Sequence, residues 1–277
     1  MGIITISRTH GSGGTTFARE LAKQLGYSYV DRTLINDECL DSARHTCCFG
    51  IDEATAPGLH VTTQELMADA NFYKVSFIAN ILDHALRDDV VMAGMGAGII
   101  LAGISNAINI RVVRLMEERV RAIARVKSIP YDDAFDLVER MDEGKRDFIG
   151  RYFDADPGDP SYYHAVVNSS YVSLKEAVGI LAEYARRHFT DACAREAEEV
   201  LGDRLLERRA EILLFQLGMG HCFRKVIFQA GAEGTLSVAG VVRNEAEKDR
   251  LLRALAKDTR IRGIRDSLET GVFEAVS

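Results

Sequence analysis

Through the first two thirds of the chain, short apolar runs alternate with stretches in which apolar residues recur every three or four positions. That alternation is the mark of a parallel sheet covered by helices. The runs predict strands over Ile3–Ile6, Tyr27–Val30, Val90–Ala93, Ile108–Leu115 and Ala165–Val167. Between the first two, Phe17, Leu21 and Leu25, with Ala18 and Ala22 beside them, form one stripe of a helix. Further helical patterns cover Gln64–Arg87, Glu117–Lys127 and Tyr131–Tyr152, the last two parted by Pro130. Phe153–His164 (FDADPGDPSYYH) reads as an ordered loop at the margin of a lid, and Ser173 with Glu176 forms an S-x-x-E capping box for a helix to about His188.

The pattern then changes. Thr190–Leu217 is charged and helical, and beyond Phe223 the runs VIFQ and GTLSVAGVV read as strands, with Leu236, Val238 and Val242 on one face. Asn244 and Glu247 cap a helix carrying Leu251, Leu252 and Leu255, and RGIRDSLET returns as a strand. The expected organisation is an α/β domain over 1–188, a helical connector over 189–222 and a small α+β domain over 223–277. That last β-α-β pattern is weakly similar to a BON domain, which leaves adaptor, oligomerisation and ligand-binding roles open.

Composition narrows the partners. With 34 Lys and Arg against 41 Asp and Glu, the net charge of -7 supplies no broad field for nucleic acid. No apolar run is long enough for a bilayer and no basic-then-apolar leader follows Met1, so the expectation is a soluble cytoplasmic protein without a membrane span. The 5 cysteines are odd in number and scattered, unlike a disulfide framework. His45, Cys47 and Cys48 form an HTCC cluster that reads either as a metal or redox site or as reduced thiols; no second ligand pair at zinc spacing accompanies it.

The chemistry gathers at SRTHGSGGTTF, where a glycine cluster joins a buried strand to a helix. Such a turn aims several backbone N–H groups and the positive end of a helix at one point, where phosphate fits. Set against the nucleoside monophosphate kinase loop G-x-x-G-x-G-K-[GST]-T, Arg8 takes the place of the first glycine. Gly11 and Gly13 take the next two, and Gly14 stands where the lysine belongs. Gly11, Ser12, Gly13, Gly14, Thr15 and Thr16 are therefore the expected nucleotide-binding residues, with Thr15 as magnesium ligand. His10 either faces phosphate or packs as a turn residue.

The combination ITISRTHGSGG followed by SYVDR resembles the cytidylate kinase-like family of P-loop proteins. GMGAG (Gly94–Gly98), MEERVRAIAR, DEGKRDFIGRYF and GDPSYYHAVVNSS extend the resemblance to about residue 188. It implies a P-loop kinase-like parallel sheet of about five strands flanked by helices, with ATP and magnesium as cofactors. Asp31 and Arg32 are then expected on the acceptor side, and Asn168, Ser169 and Ser170 either in the donor base pocket or in a turn. Thr15 and Met95 stand where relatives often carry arginine, so two cations of the family's site are missing.

Replacements are sought nearby. Arg8 is the first candidate for a catalytic cation. Asp142 and Arg146, four apart on a helix, are expected to share a face, with Asp142 turning Arg146 toward phosphate; Arg151 is a further catalytic candidate. Lys145 and Arg119 are candidates for binding substrate, with Arg125 weaker, although a solvated, salt-bridged helix explains the same spacing. The expected function is magnesium-dependent transfer of the ATP γ-phosphate to a CMP- or dCMP-like monophosphate or another small acceptor. The alternative is a catalytically degenerate nucleotide sensor that signals through its C-terminal domain. The Gln64–Arg87 helix and the C-terminal unit each offer a subunit contact, leaving a homo-oligomer open.

Overall fold

The computed structural model describes residues 2–38, 63–87, 89–94 and 96–271. His45, Cys47, Cys48 and Met95 lie outside the described residues, and so does any test of the HTCC cluster. The chain divides into two compact units, one from Met1–Ile35 and His84–Glu198, the other from Asn36–Asp83 and Glu199–Ser277. Among the described residues no helix is long and apolar enough to cross a membrane.

The first unit is built on five parallel strands, β1 (Ile3–Arg8), β2 (Ser28–Asp31), β3 (Val90–Ala93), β4 (Ala107–Val113) and β5 (Ala165–Asn168), in the order β2-β3-β1-β4-β5. β1 is therefore central, and its C-terminal end opens into the glycine loop. Helix α1 (Gly14–Leu25) returns across the sheet because Phe17, Ala18, Leu21 and Ala22 fall on one face. They pack on Ile4, Ile6, Val91 and Ile110, together with Ala177, Val178 and Leu181 of a later helix. Gly26 stops α1 in the left-handed conformation at φ 76, donating its N–H to the Ala22 and Lys23 carbonyls.

The other face of the sheet is polar at its centre. Thr5 and Asn109 are both buried, and Thr5 Oγ1 donates to Asn109 Oδ1 at 2.8 Å. The Asn109 amide in turn donates to the carbonyls of Gly98 (2.9 Å) and Tyr162 (3.2 Å). Because every polar atom in this chain has a partner, it adds geometric specificity without a desolvation penalty. It also draws the short α3 (Ala97–Ile100), through Gly98, and the loop before β5 against the sheet.

Two long helices follow β4: α4 (Met116–Lys127) and α5 (Tyr131–Phe153), separated by Pro130 at the N-cap of α5. Val120, Ala134 and Val138 form their shared apolar seam. After β5, the expected capping box is present: Ser173 Oγ accepts from the Glu176 N–H at 3.2 Å, and helix α6 runs Leu174–His188.

The second unit contains helix α2 (Thr63–Leu86) up to Asp83, and helix α7 (Asp191–Gln216) from Glu199 on. Leu206, Ala210 and Leu214 of α7 enter the core of a three-stranded sheet. That sheet has β6 (Val226–Gly231) antiparallel to β7 (Thr235–Val242), which is parallel to β8 (Gly263–Thr270) through helix α8 (Glu245–Leu255). The stretch expected as a connector thus supplies core residues to this unit from Glu199 onward. Val226, Phe228, Leu236, Val238, Leu251 and Leu255 complete the core.

One glycine decides the pairing of β6 with β7. Gly240 sits at φ 130, and a Cβ there would lie 2.0 Å from the Lys225 carbonyl oxygen. A side chain must both adopt a conformation reserved for glycine and push the strands apart. Gly240→Ala is expected to cost the C-terminal unit at least about 2 kcal/mol, read as a lowered midpoint in urea unfolding. An unchanged midpoint contradicts this packing.

Candidate active site

The loop leaves β1 at Arg8 and enters α1 at Gly14. Thr9 continues the β1–β4 ladder, its N–H donating to the Val112 carbonyl at 3.2 Å, and Ser12 folds back so that its N–H and hydroxyl both donate to the Thr9 carbonyl. Ser12 is buried and acts as the turn's own brace. Gly13 caps α1 at φ 82 without a side-chain cap, and the first turn carries no acidic residue. The N–H groups of Gly11, Gly13, Gly14, Thr15 and Thr16 donate to no oxygen among the described residues. A helix start left open in this way is an anion cradle.

The loop is held from several elements. Ser169 Oγ donates to the Ser12 carbonyl at 2.9 Å, Arg119 Nη1 donates to the His10 carbonyl at 3.0 Å, and Asp142 Oδ1 accepts from the His10 N–H at 2.7 Å. Arg119 and Asp142 also form a close ion pair with each other. The remaining Arg119 donors go to the Arg114 carbonyl (3.1 Å) and Met116 Sδ (3.1 Å). Arg119, expected on the substrate, is buried and in this structure has its donors committed to clasping the loop. The expected Asp142–Arg146 pairing is corrected for the same reason, because the Asp142 carboxylate is already used by Arg119, His10 and Lys145. Arg146 and Arg151 are exposed and make no ion pair with the described residues.

Arg8 explains the missing lysine. A Cβ on Gly14 would lie 2.5 Å from Arg8 Cβ, and a Cβ on Gly94 would lie 2.0 Å from Arg8 Nη1. The arginine side chain runs through space that these two glycines leave open, so a lysine at position 14 and this path for Arg8 exclude each other. Its guanidinium makes no ion pair with a described residue. Burial pulls its proton affinity below the ordinary arginine value, while Tyr29 and Asp31 push it back up.

Lys145 reaches the same place from α5. Its Nζ lies 3.5 Å from the Arg8 carbonyl oxygen and 3.7 Å from Asp142 Oδ1. Burial lowers its proton affinity; Asp142 opposes this, while Arg8 and Arg119 add to it. Arg8, Lys145 and Arg119 are thus set against two carboxylates, Asp31 acting on Arg8 and Asp142 on Lys145 and Arg119, which leaves positive charge in excess where an anion fits. His10 is held below its usual value, first by burial and next by Lys145, which keeps its imidazole neutral at pH 7. The imidazole Nε2 and the Thr9 hydroxyl are buried without a hydrogen-bond partner among the described residues.

Of the other expected site residues, Thr15 is half-buried and Thr16 exposed on the first turn of α1. Asp31 Oδ1 accepts from the N–H groups of Thr33 (3.0 Å) and Leu34 (3.4 Å), capping a helical stretch over 32–38, with Arg19 at 3.9 Å. The Arg32 guanidinium stacks 5.3 Å from the ring centre of Phe148 on α5. Ser170 serves the turn, accepting from the Leu115 N–H and donating to Glu118.

One cation escaped the sequence reading. Arg111 Nη1 donates to Ser7 Oγ (3.1 Å) and Tyr163 Oη (3.3 Å), and its guanidinium lies over the Tyr163 ring. The signal was the spacing of Asn109 and Arg111, two polar residues on one face of a strand otherwise read as apolar.

The clasp sets an expectation for stability. Asp142→Ala strands the Arg119 guanidinium and the His10 N–H, and is expected to cost about 2–3 kcal/mol in urea unfolding. That is less than a fully enclosed pair would lose, because the two side chains keep 11% and 19% of their exposure. A loss below about 0.5 kcal/mol contradicts the clasp. Comparison with known proteins identifies relatives of the chain. Two curated cytidylate kinases are similar to this chain: that of Aeropyrum pernix is 26% identical over 183 residues, covering 66% of this chain and 98% of its own. That of Pyrobaculum aerophilum is 28% identical over 185 residues, covering 66% and 92%. The fold is shared with a crystal structure of an uncharacterized protein from Eubacterium ventriosum, at 17% identity and TM-score 0.53, covering 67% of this chain and 99% of that one. The match to these kinases stops short of the C-terminal unit and lends no support to a BON-like reading of it. Residues 3–171, more than half of the chain and all of the loop, clasp and sheet described above, match the cytidylate kinase-like family, and the chain belongs to it.

Proposed function

We propose that the protein transfers the γ-phosphate of ATP to a nucleoside monophosphate of the CMP or dCMP type, with Arg8 and Lys145 together replacing the loop lysine. The observation that carries this reading is the Arg8 guanidinium, lying beside Gly94 without an ion-pair partner among the described residues, next to a loop in which the N–H groups of Gly11, Gly13, Gly14, Thr15 and Thr16 also lack acceptors among them. Phosphoryl transfer asks little covalent chemistry of a protein and much positive charge in fixed positions. The backbone amides of Gly11, Gly13, Gly14, Thr15 and Thr16 would cradle the donor phosphates, and the two cations would meet the oxygens that a loop lysine usually meets.

The residues fit magnesium at one point. Thr15 lies on the first turn of α1, and its hydroxyl makes no hydrogen bond with a described residue; it would hold the ion, which when bound offsets the charge of the phosphates. On the acceptor side, Arg32 is the stronger candidate, since Asp31 is occupied with capping. Its stacking on Phe148 ties the acceptor edge to α5, the same helix that brings Lys145. Closure of α5 would thereby set both substrates against the loop.

The test is ADP formation from ATP and magnesium with a panel of monophosphates. Lys145→Met is expected to lower kcat/KM about ten- to hundredfold, the equivalent of one charged hydrogen bond of about 1.5–3 kcal/mol. Arg146→Ala and Arg151→Ala are expected to stay within about threefold of the parent, the span of a weak surface charge effect. Micromolar binding of ATP with no acceptor stimulating turnover would replace the kinase with a nucleotide sensor. No binding at millimolar ATP would remove both.

A further inference from the structure

We propose that His221, Cys222 and Glu247 in the C-terminal unit form a zinc-binding site. The three side chains come together from separate elements: His221 and Cys222 lie on a short 3-10 turn (Gly220–Cys222), and Glu247 lies on the first turn of α8. One ligand atom from each lies within 4.8 Å of the others. His221 Nε2 is 3.3 Å from Glu247 Oε1, and Cys222 Sγ is 4.0 Å from Glu247 Oε2. A tetrahedral zinc with bonds of about 2.0–2.3 Å holds its ligand atoms about 3.3–3.8 Å apart, so ligand atoms spread over as much as 4.8 Å close on the ion with a shift of about 1 Å.

The donor set selects the metal. One thiolate, one carboxylate and one neutral imidazole balance a divalent charge. Sulfur beside imidazole favours zinc over calcium or magnesium, which take oxygen. The fourth position is left to water. Burial keeps the site from being a chance surface cluster: Cys222 is fully buried, and the His221 and Glu247 side chains retain only 17% and 12% of their exposure.

The ligands are also held in place before any ion arrives. The Cys222 N–H donates to the Met219 carbonyl at 2.8 Å and the Lys225 N–H to the Cys222 carbonyl at 2.9 Å, fixing the turn. Asn244 caps α8 by accepting from the Glu247 N–H at 3.0 Å, and Glu247 Oε2 accepts from the Arg243 N–H at 3.0 Å. Oε2 also faces Cys222 Sγ at 4.0 Å and His221 Nε2 at 3.4 Å, and Oε1 faces His221 Nε2 at 3.3 Å, so either carboxylate oxygen can serve as the ligand. Such outer contacts orient ligands and commonly govern metal affinity as much as ligand identity does. A zinc here would pin the end of the α7–β6 connection to the start of α8, a tie across a small core.

The experiment uses the full chain, stripped with a chelator and titrated with Co²⁺ as a spectroscopic probe, without nucleotide. One equivalent is expected to produce a sulfur-to-cobalt charge-transfer band with the visible bands of a tetrahedral site, and Zn²⁺ is expected to abolish both. Cys222→Ser should remove the charge-transfer band, and His221→Ala and Glu247→Gln should each weaken Co²⁺ binding more than about a hundredfold, beyond the loss from an outer contact. Absence of the band in the parent overturns the proposal, and so does a band of parental strength in Cys222→Ser, which places the metal on other thiols. Should Cys222→Ser fail to fold, His221→Ala decides: unchanged affinity there overturns the site.

Discussion

The ion pair between Arg119 and Asp142 is the constraint on which the site depends. Each partner spends its second function on the same loop residue, Arg119 on the His10 carbonyl and Asp142 on the His10 N–H. The two long helices after β4 are thereby bonded to both sides of one peptide segment, and the loop cannot relax unless they part. Placing an arginine and a carboxylate in this position is costly unless their remaining polar atoms are used, and here they are. The cradle is in this sense a product of α4 and α5 as much as of its own glycines.

Within that frame, the loop trades one kind of cation for another. A lysine on the first turn of α1 would approach phosphate from the helix, as a compact ammonium on a flexible stem. In the proposed function Arg8 would approach from the strand instead, as a planar fork able to meet two oxygens at once, and Lys145 from α5. The positive charge is thus divided between a residue fixed to the sheet and one fixed to a helix pair. A site so divided is complete only while α5 lies against the loop.

The glycine loop, the order of strands and helices, and the capping box at Ser173 were legible in the sequence because each rests on local chemistry: positive φ, apolar period and a side chain three residues from its acceptor. The partners of Asp142 were not. Spacing on a helix offers Arg146 at i+4 and a tertiary contact offers Arg119, and only the packing of α5 on α4 chooses between them. Asp31 shows the reverse case, a residue expected at the acceptor that the structure shows in the ordinary role of a helix cap through Oδ1. The reason for Gly14 was hidden as well, since it lies in the path of a side chain six residues earlier.

That path limits what neighbouring positions can hold. While arginine occupies position 8 in this conformation, any side chain at position 14 collides with it, and any at position 94 collides with its guanidinium. At position 14 the collision is with the Cβ of residue 8 itself, so the end of the strand and the start of the helix cannot both carry a side chain in this backbone; glycine at one of them is the condition for the other to be charged.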